Sequence, residues 1–364
     1  MINQAGYGGA QKAIIRVAEG LAGRGHCVEL WFLDQREPPP PCSVSTRILM
    51  PRPAKGLLDH LRIAASLRRQ LKRADAEAVL SFLPRSNLLG QSMAWWLGVP
   101  RRVASQRNPS WSYGRVMRWL DGVVGHWGAY TKNVMVSQSA AESFAGYSGA
   151  YRRGIVVVSN GIDFEPSPLS RSEARQWFDL SGDAMLIVCA GRLTHQKNYE
   201  TLLRACSRVP TVQLAIAGDG GLRSSLESLA ADLRFQDRFH LLGTLPPTEV
   251  RHLLRAADIF AIPSRYEGMS NALLEALCAG LPCIASDIPA QAEVVRFPEG
   301  VEAGMMVAAE DVEGWADAIE RLAGDANLRK RLSQRALQRS EAFTLEHMIE
   351  GFERAILNDM RSQS

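Results

Sequence analysis

The sequence predicts two doubly wound α/β domains built on parallel sheets. Three observations carry this. The 364-residue chain is too long for one compact core and suits two domains. Short apolar runs alternate with stretches of helical periodicity throughout. Several of those runs, Met185–Ala190 above all, are apolar without interruption, as strands buried on both faces are.

In order, Gln11 to Gly23 reads as a helix and Cys27 to Leu33 as a strand. The proline run 38–41 can be neither and makes a stiff loop. Lys55 to Arg73 is a helix feeding the strand Ala78–Phe82. Asn87 to Leu97 is another helix, Arg102–Gln106 a strand, and Val134–Ser137 and Ile155–Val158 are short strands. Asn160 to Ser170 is a polar, proline-containing hinge. It divides a first domain, residues 1–163, from a second, residues 164–344. The second-half strands are Met185–Ala190, Gln213–Ala217, Phe239–Leu242, Ile259–Pro263, Cys283–Ala285 and Gly304–Val307. Helices lie between them, and a last one runs Leu345–Asp359.

The chain holds 46% hydrophobic and 22% charged residues, ordinary values for a globular protein. No run of about 18 apolar residues exists, which excludes a spanning helix. No secretory leader is visible either, since Ile14 onward alternates with Arg16, Glu19 and Arg24. Six scattered cysteines lack a CxxC pair or nearby histidines and read as reduced thiols, pointing to the cytoplasm. Charge is unevenly placed. Residues 1–160 carry 21 Lys and Arg against 9 Asp and Glu, the rest 21 against 29. The basic half is expected to meet an anionic partner.

The chemistry concentrates in 264–282. Glu267 opens a turn, Ser270 suits a helix N-cap, and Gly280 with Pro282 stops the helix that holds Glu275. The helix N-terminus offers unpaired N–H groups and a partial positive charge, an anion site flanked by two carboxylates. That suits a ligand with phosphate in the middle and hydroxyls at both ends. Upstream, strand 185–190 ends at Gly191, with Arg192 and Lys197 in the loop that follows. Open α/β sheets bind ligands at that edge, and two cations there match a diphosphate.

These segments together resemble the retaining glycosyltransferases of the GT-B superfamily, family 4. The matching residues are Gly191-Arg192-Leu193 with Lys197-Asn198, Ala217-Gly218-Asp219-Gly220, Pro263-Ser264 before Glu267 and Glu275, and Ala279-Gly280-Leu281-Pro282. The linker Ser159-Asn160-Gly161-Ile162-Asp163 fits too, and the resemblance covers nearly the whole chain. It implies two Rossmann-like domains facing a central cleft, with the C-terminal helix, 345–361, packing back onto the first domain.

For the donor, the resemblance implies a nucleotide-sugar, a UDP-sugar, with Glu275 on the ribose and Glu267 on the sugar hydroxyls. Backbone of Gly268, Met269, Ser270, Asn271 and Ala272 would hold sugar and phosphate, and Arg192 with Lys197 the leaving diphosphate. Gly191, Gly218, Asp219, Gly220 and Leu245 would line the nucleotide. Gly8 and Gly9, before the first helix, match the family's phosphate-contacting glycine loop. Relatives place a full apolar strand before that loop, whereas here only three residues precede Gln4. The expectation is a truncated first strand, with the true start upstream of Met1. No metal or other cofactor is expected, since no DxD triplet or His cluster occurs.

The acceptor side departs from the family pattern. Where relatives carry histidine beside the donor sugar, this chain has Arg107, making it a candidate catalytic residue. Ser81-Phe82-Leu83-Pro84-Arg85-Ser86-Asn87 with Arg107-Asn108-Pro109 resembles a subgroup that adds hexoses or N-acetylhexosamines to lipid-linked oligosaccharides. That implies a lipid-pyrophosphate-linked glycan as acceptor. The Lys55–Arg73 helix pairs Leu57, Leu58, Leu61, Ala64, Ala65 and Leu71 on one side with five basic residues elsewhere. Trp95, Trp96, Trp111 and Trp119 are interleaved with arginines. Such a basic, aromatic surface suits an anionic membrane face. The bland alternative is an ordinary amphipathic helix with tryptophans in the core. A soluble acceptor, a sugar-nucleotide epimerase on the same fold, and an inactive sugar-binding subunit also stay open. Nucleic acid is not an expected partner, for no recognised motif supports it.

Overall fold

The structure is a computed structural model that describes residues 1–6, 8–180 and 184–357. Two compact units arise, one of residues 1–161 with the segment from Thr344 onward, the other Ile162–Phe343. In the first, seven strands form a parallel sheet in the order β3-β2-β1-β4-β5-β6-β7. They are β1 (Ile2–Ala5), β2 (Glu29–Gln35), β3 (Ser45–Ile48), β4 (Ala78–Phe82), β5 (Arg101–Gln106), β6 (Lys132–Met135) and β7 (Ile155–Val157). The first strand has four residues, yet it sits centrally, pairing with β2 on one side and β4 on the other.

Helix Gly9–Gly23 and helix Leu345–Leu357 cover one face of this sheet. Phe352 is fully buried and stacks on Phe82 at 5.3 Å between ring centroids. The helices approach closely because Gly20 has no side chain: a Cβ there would lie 2.2 Å from Ile349 Cδ1. Arg24 adds ion pairs to Glu346 and Glu353. Of the expected last helix, residues 358–361 lie outside the described residues.

The stretch expected as one helix, 87–97, is broken. Asn87–Gln91 is a π-turn followed by helix Ser92–Trp96. Its buried polar residues explain the break. Asn87 Nδ2 donates to the Ser105 carbonyl at 3.0 Å, and Gln91 Nε2 donates to the Val79 and Val103 carbonyls at 3.1 and 2.7 Å. Those bonds tie the segment to the backbone of β4 and β5. A π-bulge brings the amides to bear on the sheet. Helix Gly56–Ala74 corrects another expectation: it buries Asp59, Ile63, Leu67 and Leu71, while Leu57, Leu58 and Leu61 are exposed. Trp95, Trp96, Trp111 and Trp119 are exposed as well, so the core reading of these tryptophans fails.

The second unit holds a six-stranded parallel sheet ordered β10-β9-β8-β11-β12-β13. Its strands are β8 (Met185–Ala190), β9 (Val212–Ala217), β10 (Phe239–Gly243), β11 (Ile259–Ile262), β12 (Cys283–Ser286) and β13 (Gly304–Val307). Strand order reverses between neighbouring β8 and β11. Such reversals leave a crevice beyond the carboxyl ends of the two strands. Trp315, fully buried, anchors helix Val312–Gly324 to the core beneath. Among the described residues no helix is long and apolar enough to cross a membrane.

Candidate active site

The loops that leave β8 and β11 meet at that reversal. Arg265 N–H donates to the Gln196 carbonyl at 2.8 Å, and Gln196 Nε2 donates to the Tyr266 carbonyl at 2.9 Å. This brings Lys197 Nζ within 2.6 Å of Glu267 Oε1, which also accepts from Ser264 Oγ at 2.8 Å. Both charged side chains are largely buried. Coulombic attraction is strong in such a setting, and so is the penalty for leaving either charge alone. Residues 70 apart in sequence thus form one charged centre, a pairing that no local pattern announces.

Three glycines allow the neighbouring loops to interlock. Gly191 N–H donates to the Ala217 carbonyl at 2.9 Å, and Leu193 N–H to the Asp219 carbonyl at 3.0 Å. A Cβ on Gly218 would lie 1.9 Å from the Gly191 carbonyl oxygen, and one on Gly220 2.5 Å from that of Leu193. At Gly191 it would meet the Tyr199 hydroxyl and Lys197 Cε at 2.9 and 3.0 Å. Tyr199 and Gln196 are site neighbours that sequence reasoning missed. Burial pushes the Tyr199 phenol well above its ordinary range, so it stays protonated.

Beyond Glu267, residues Gly268, Met269 and Ser270 are buried, and helix Asn271–Cys278 begins as expected. Ser270 Oγ caps it, accepting from Leu273 N–H at 3.4 Å. Asn271 and Ala272 form its first turn, and Glu275 lies half-buried on the second. Arg192 is exposed, with no hydrogen bond or ion pair among the described residues. Asp219 Oδ1 accepts from Gly220 N–H and from Arg223. Leu245 is half-buried after β10. No group of three His, Cys, Asp or Glu able to hold a metal occurs among the described residues.

The remaining expected residues belong to the first unit. Gly8 caps helix Gly9–Gly23 without a side chain, and its carbonyl accepts from Lys12 N–H. Arg107 follows β5 and is buried. It donates to Asn160 Oδ1 and to Ser105 Oγ, and its guanidinium lies 5.0 Å over the Phe82 ring. No carboxylate pairs with it among the described residues. Burial pulls its pKa down to about 10, so it stays cationic at neutral pH. Ser81 and Asn87, expected on the acceptor side, are fully buried and bond each other at 2.8 Å. Arg85 instead reaches the buried Asp34 at 2.9 Å and the Asn3 carbonyl at 2.6 Å.

Two parallel-sheet α/β units of this kind are those of the GT-B fold. Anabaena HepE in complex with UDP and glucose superposes with a TM-score of 0.83 at 17% identity, covering 97% of each chain. WaaG, a glycosyltransferase of lipopolysaccharide biosynthesis, gives 0.76 at 18% identity, over 98% of this chain and all of that one. By sequence, residues 7–166 match the model of Glycosyltransferase Family 4 and residues 170–339 that of Glycosyl transferases group 1. The chain belongs to this family of GT-B glycosyltransferases, family 4, group 1. The lipopolysaccharide core biosynthesis glycosyltransferase LpsE of Rhizobium meliloti is 34% identical over 185 residues, 51% of this chain and 52% of that protein. The D-inositol 3-phosphate glycosyltransferase of Mycolicibacterium smegmatis is 30% identical over 238 residues, 63% of this chain and 54% of its own length. The chain thus spans about half the length of these curated relatives.

Proposed function

We propose that the protein is a retaining glycosyltransferase that moves a hexose or N-acetylhexosamine from a UDP-sugar to a polyprenyl-pyrophosphate-linked glycan. The observation that carries this is the Lys197–Glu267 pair at the strand-order reversal, just ahead of a Ser-capped helix N-terminus. Lys197 neutralises the diphosphate with Arg192, and the Gly268–Ala272 backbone adds N–H groups. Negative charge grows on that diphosphate as the glycosidic bond breaks, so these fixed groups favour the transition state over the ground state. Glu267 Oε1 is engaged by Lys197 and Ser264, which leaves Oε2 for the sugar hydroxyls. Glu275 takes the ribose. Gly191, Gly218, Asp219, Gly220 and Leu245 border the nucleotide, and Gly8 and Gly9 approach the phosphate. In the same-face mechanism the departing phosphate oxygen accepts the acceptor's hydroxyl proton while that hydroxyl oxygen bonds the anomeric carbon.

Solved HepE contains UDP and glucose, and LpsE acts in lipopolysaccharide core biosynthesis. The first supports a UDP-sugar donor, and the second a glycan acceptor carried on lipid. The protein works at the cytoplasmic face of the membrane, held there peripherally. Nucleotide release from UDP-sugars tests the reading. It should depend on a polyprenyl-pyrophosphate glycan and yield a product that keeps the donor's anomeric configuration by NMR. Release driven equally by a water-soluble glycan would remove the lipid carrier. An epimerised sugar nucleotide, or an inverted product, would remove the transferase assignment itself.

Arg107 is the cation of the acceptor half. Arg107→Ala should lower turnover about 10- to 100-fold while leaving UDP affinity within about twofold. Arg107→Lys should not restore it, because an ammonium cannot span Asn160 and Ser105 while lying flat on Phe82. Unchanged turnover in Arg107→Ala would take this residue out of the site.

A further inference from the structure

We infer that the carboxyl edge of the first sheet carries a two-pronged docking surface for an anionic lipid bilayer. This deepens the membrane reading above by naming the surface that seats on the lipid. Every crossover helix in a parallel sheet starts at the carboxyl edge and runs back toward the amino edge. Helix Gly56–Ala74, between β3 and β4, therefore begins at that edge, and so does helix Arg115–His126, between β5 and β6. Both crossovers run in the same direction across the sheet, so right-handed connections put them on the same face.

Apolar exposure concentrates at those two starts. Leu57 is 75% exposed, Leu58 70% and Leu61 57%. On the second prong Val116 is 71% exposed, Trp119 65% and Trp111 55%. Monomeric surfaces rarely leave side chains of this size bare in such groups. Cations accompany them: Lys55 and Arg115 are exposed beside the two prongs, and Arg118 is half-buried. The two helices themselves carry no exposed carboxylate. The only acid of helix Gly56–Ala74 is Asp59, buried against Arg52, and the only one of helix Arg115–His126 is Asp121. Asp121 is buried too, accepting from Tyr130 and Tyr151 at 2.7 Å. Leucine, tryptophan and unopposed cations match the acyl boundary and phosphate headgroups of an anionic membrane. The same edge is where open α/β sheets receive ligands, so a lipid-borne acceptor would arrive from the membrane directly at Arg107.

Trp95 and Trp96 supply an internal control. They are also exposed, but they end helix Ser92–Trp96 immediately before β5, at the amino edge. Flotation of the full chain with phosphatidylglycerol-containing vesicles is the test. The wild type should bind these vesicles and bind pure phosphatidylcholine poorly. Leu57→Ser/Leu58→Ser and Val116→Ser/Trp119→Ala should each weaken binding by about tenfold or more, whereas Trp95→Ala/Trp96→Ala should not. Equal binding by all variants, or loss confined to the Trp95 and Trp96 pair, would overturn the assignment. So would a wild type that ignores vesicles but self-associates through these prongs in sedimentation velocity. UDP-induced thermal shifts on each variant confirm folding and read the donor site separately. Vesicle binding without any response to UDP would leave this inference standing and remove the transferase reading.

Discussion

Replacing Lys197 with alanine is expected to lower turnover about 10²- to 10³-fold, the usual cost of removing one preorganised stabiliser of developing charge. The substitution also strands Glu267, which among the described residues keeps Ser264 as its one partner. Stability should therefore drop by about 1–3 kcal/mol. The two losses can be separated. Pairing Lys197→Met with Glu267→Gln leaves no buried charge unmatched, so urea denaturation should show most of the stability restored. Turnover should stay low, because the cation proposed for the leaving group is still missing. Turnover that recovers together with stability would make the pair purely structural.

Gly218→Ala should be the most damaging of the glycine substitutions in this site. The added methyl would sit 1.9 Å from the Gly191 carbonyl oxygen, a backbone atom that cannot swing aside. Gly191 is itself fixed by its bond to the Ala217 carbonyl, and Gly218 N–H donates to the Gly243 carbonyl at 2.7 Å. Relief would require parting the loops after β8 and β9. The expected destabilisation is about 3 kcal/mol, near the upper end for overpacking. UDP affinity should fall with it. Gly221→Ala is the companion measurement, since nothing lies within 4 Å of its added carbon. It should change the urea midpoint by no more than a surface substitution does, within about 0.5 kcal/mol. Similar effects from both would show that the interlocked loops are not tightly held.

Much of the fold was legible because parallel strands are apolar on both faces. Ala78–Phe82, Met185–Ala190 and Gly304–Val307 have the bounds their apolar runs indicate. Strand β3 escaped for the opposite reason: Ser45, Thr46 and Arg47 are exposed at the sheet edge, leaving no apolar run to read. Helix Arg115–His126 was also missed: its buried positions are Asp121 and Gly125, while Val116 and Trp119 stand exposed. In helix Gly56–Ala74 the expected apolar side held Leu57, Leu58, Leu61, Ala64, Ala65 and Leu71, of which Leu71 alone is buried. The sheet instead buries the line from Asp59 through Ile63 and Leu67 to Leu71, because Arg52 neutralises Asp59.

The site divides in the same way. Ser270 as a cap and Gly280 as a stop follow from local backbone chemistry, and both stand in the structure, Gly280 at φ 69°. Contacts between distant segments are not written locally. Lys197 and Glu267 were expected on different parts of one ligand, yet they are hydrogen-bonded to each other. The interlocking of Gly191 with Gly218 is of the same long-range kind.

We propose that the loops after β8 and β11 hold a nucleoside diphosphate. Calorimetric titration of UDP into the full chain, with Lys197→Ala beside it, tests this most directly. One UDP should bind per chain, at least about tenfold more weakly once Lys197 is removed. A wild type that shows no heat with UDP or any other nucleoside diphosphate would contradict it, and so would equal affinity in the two proteins.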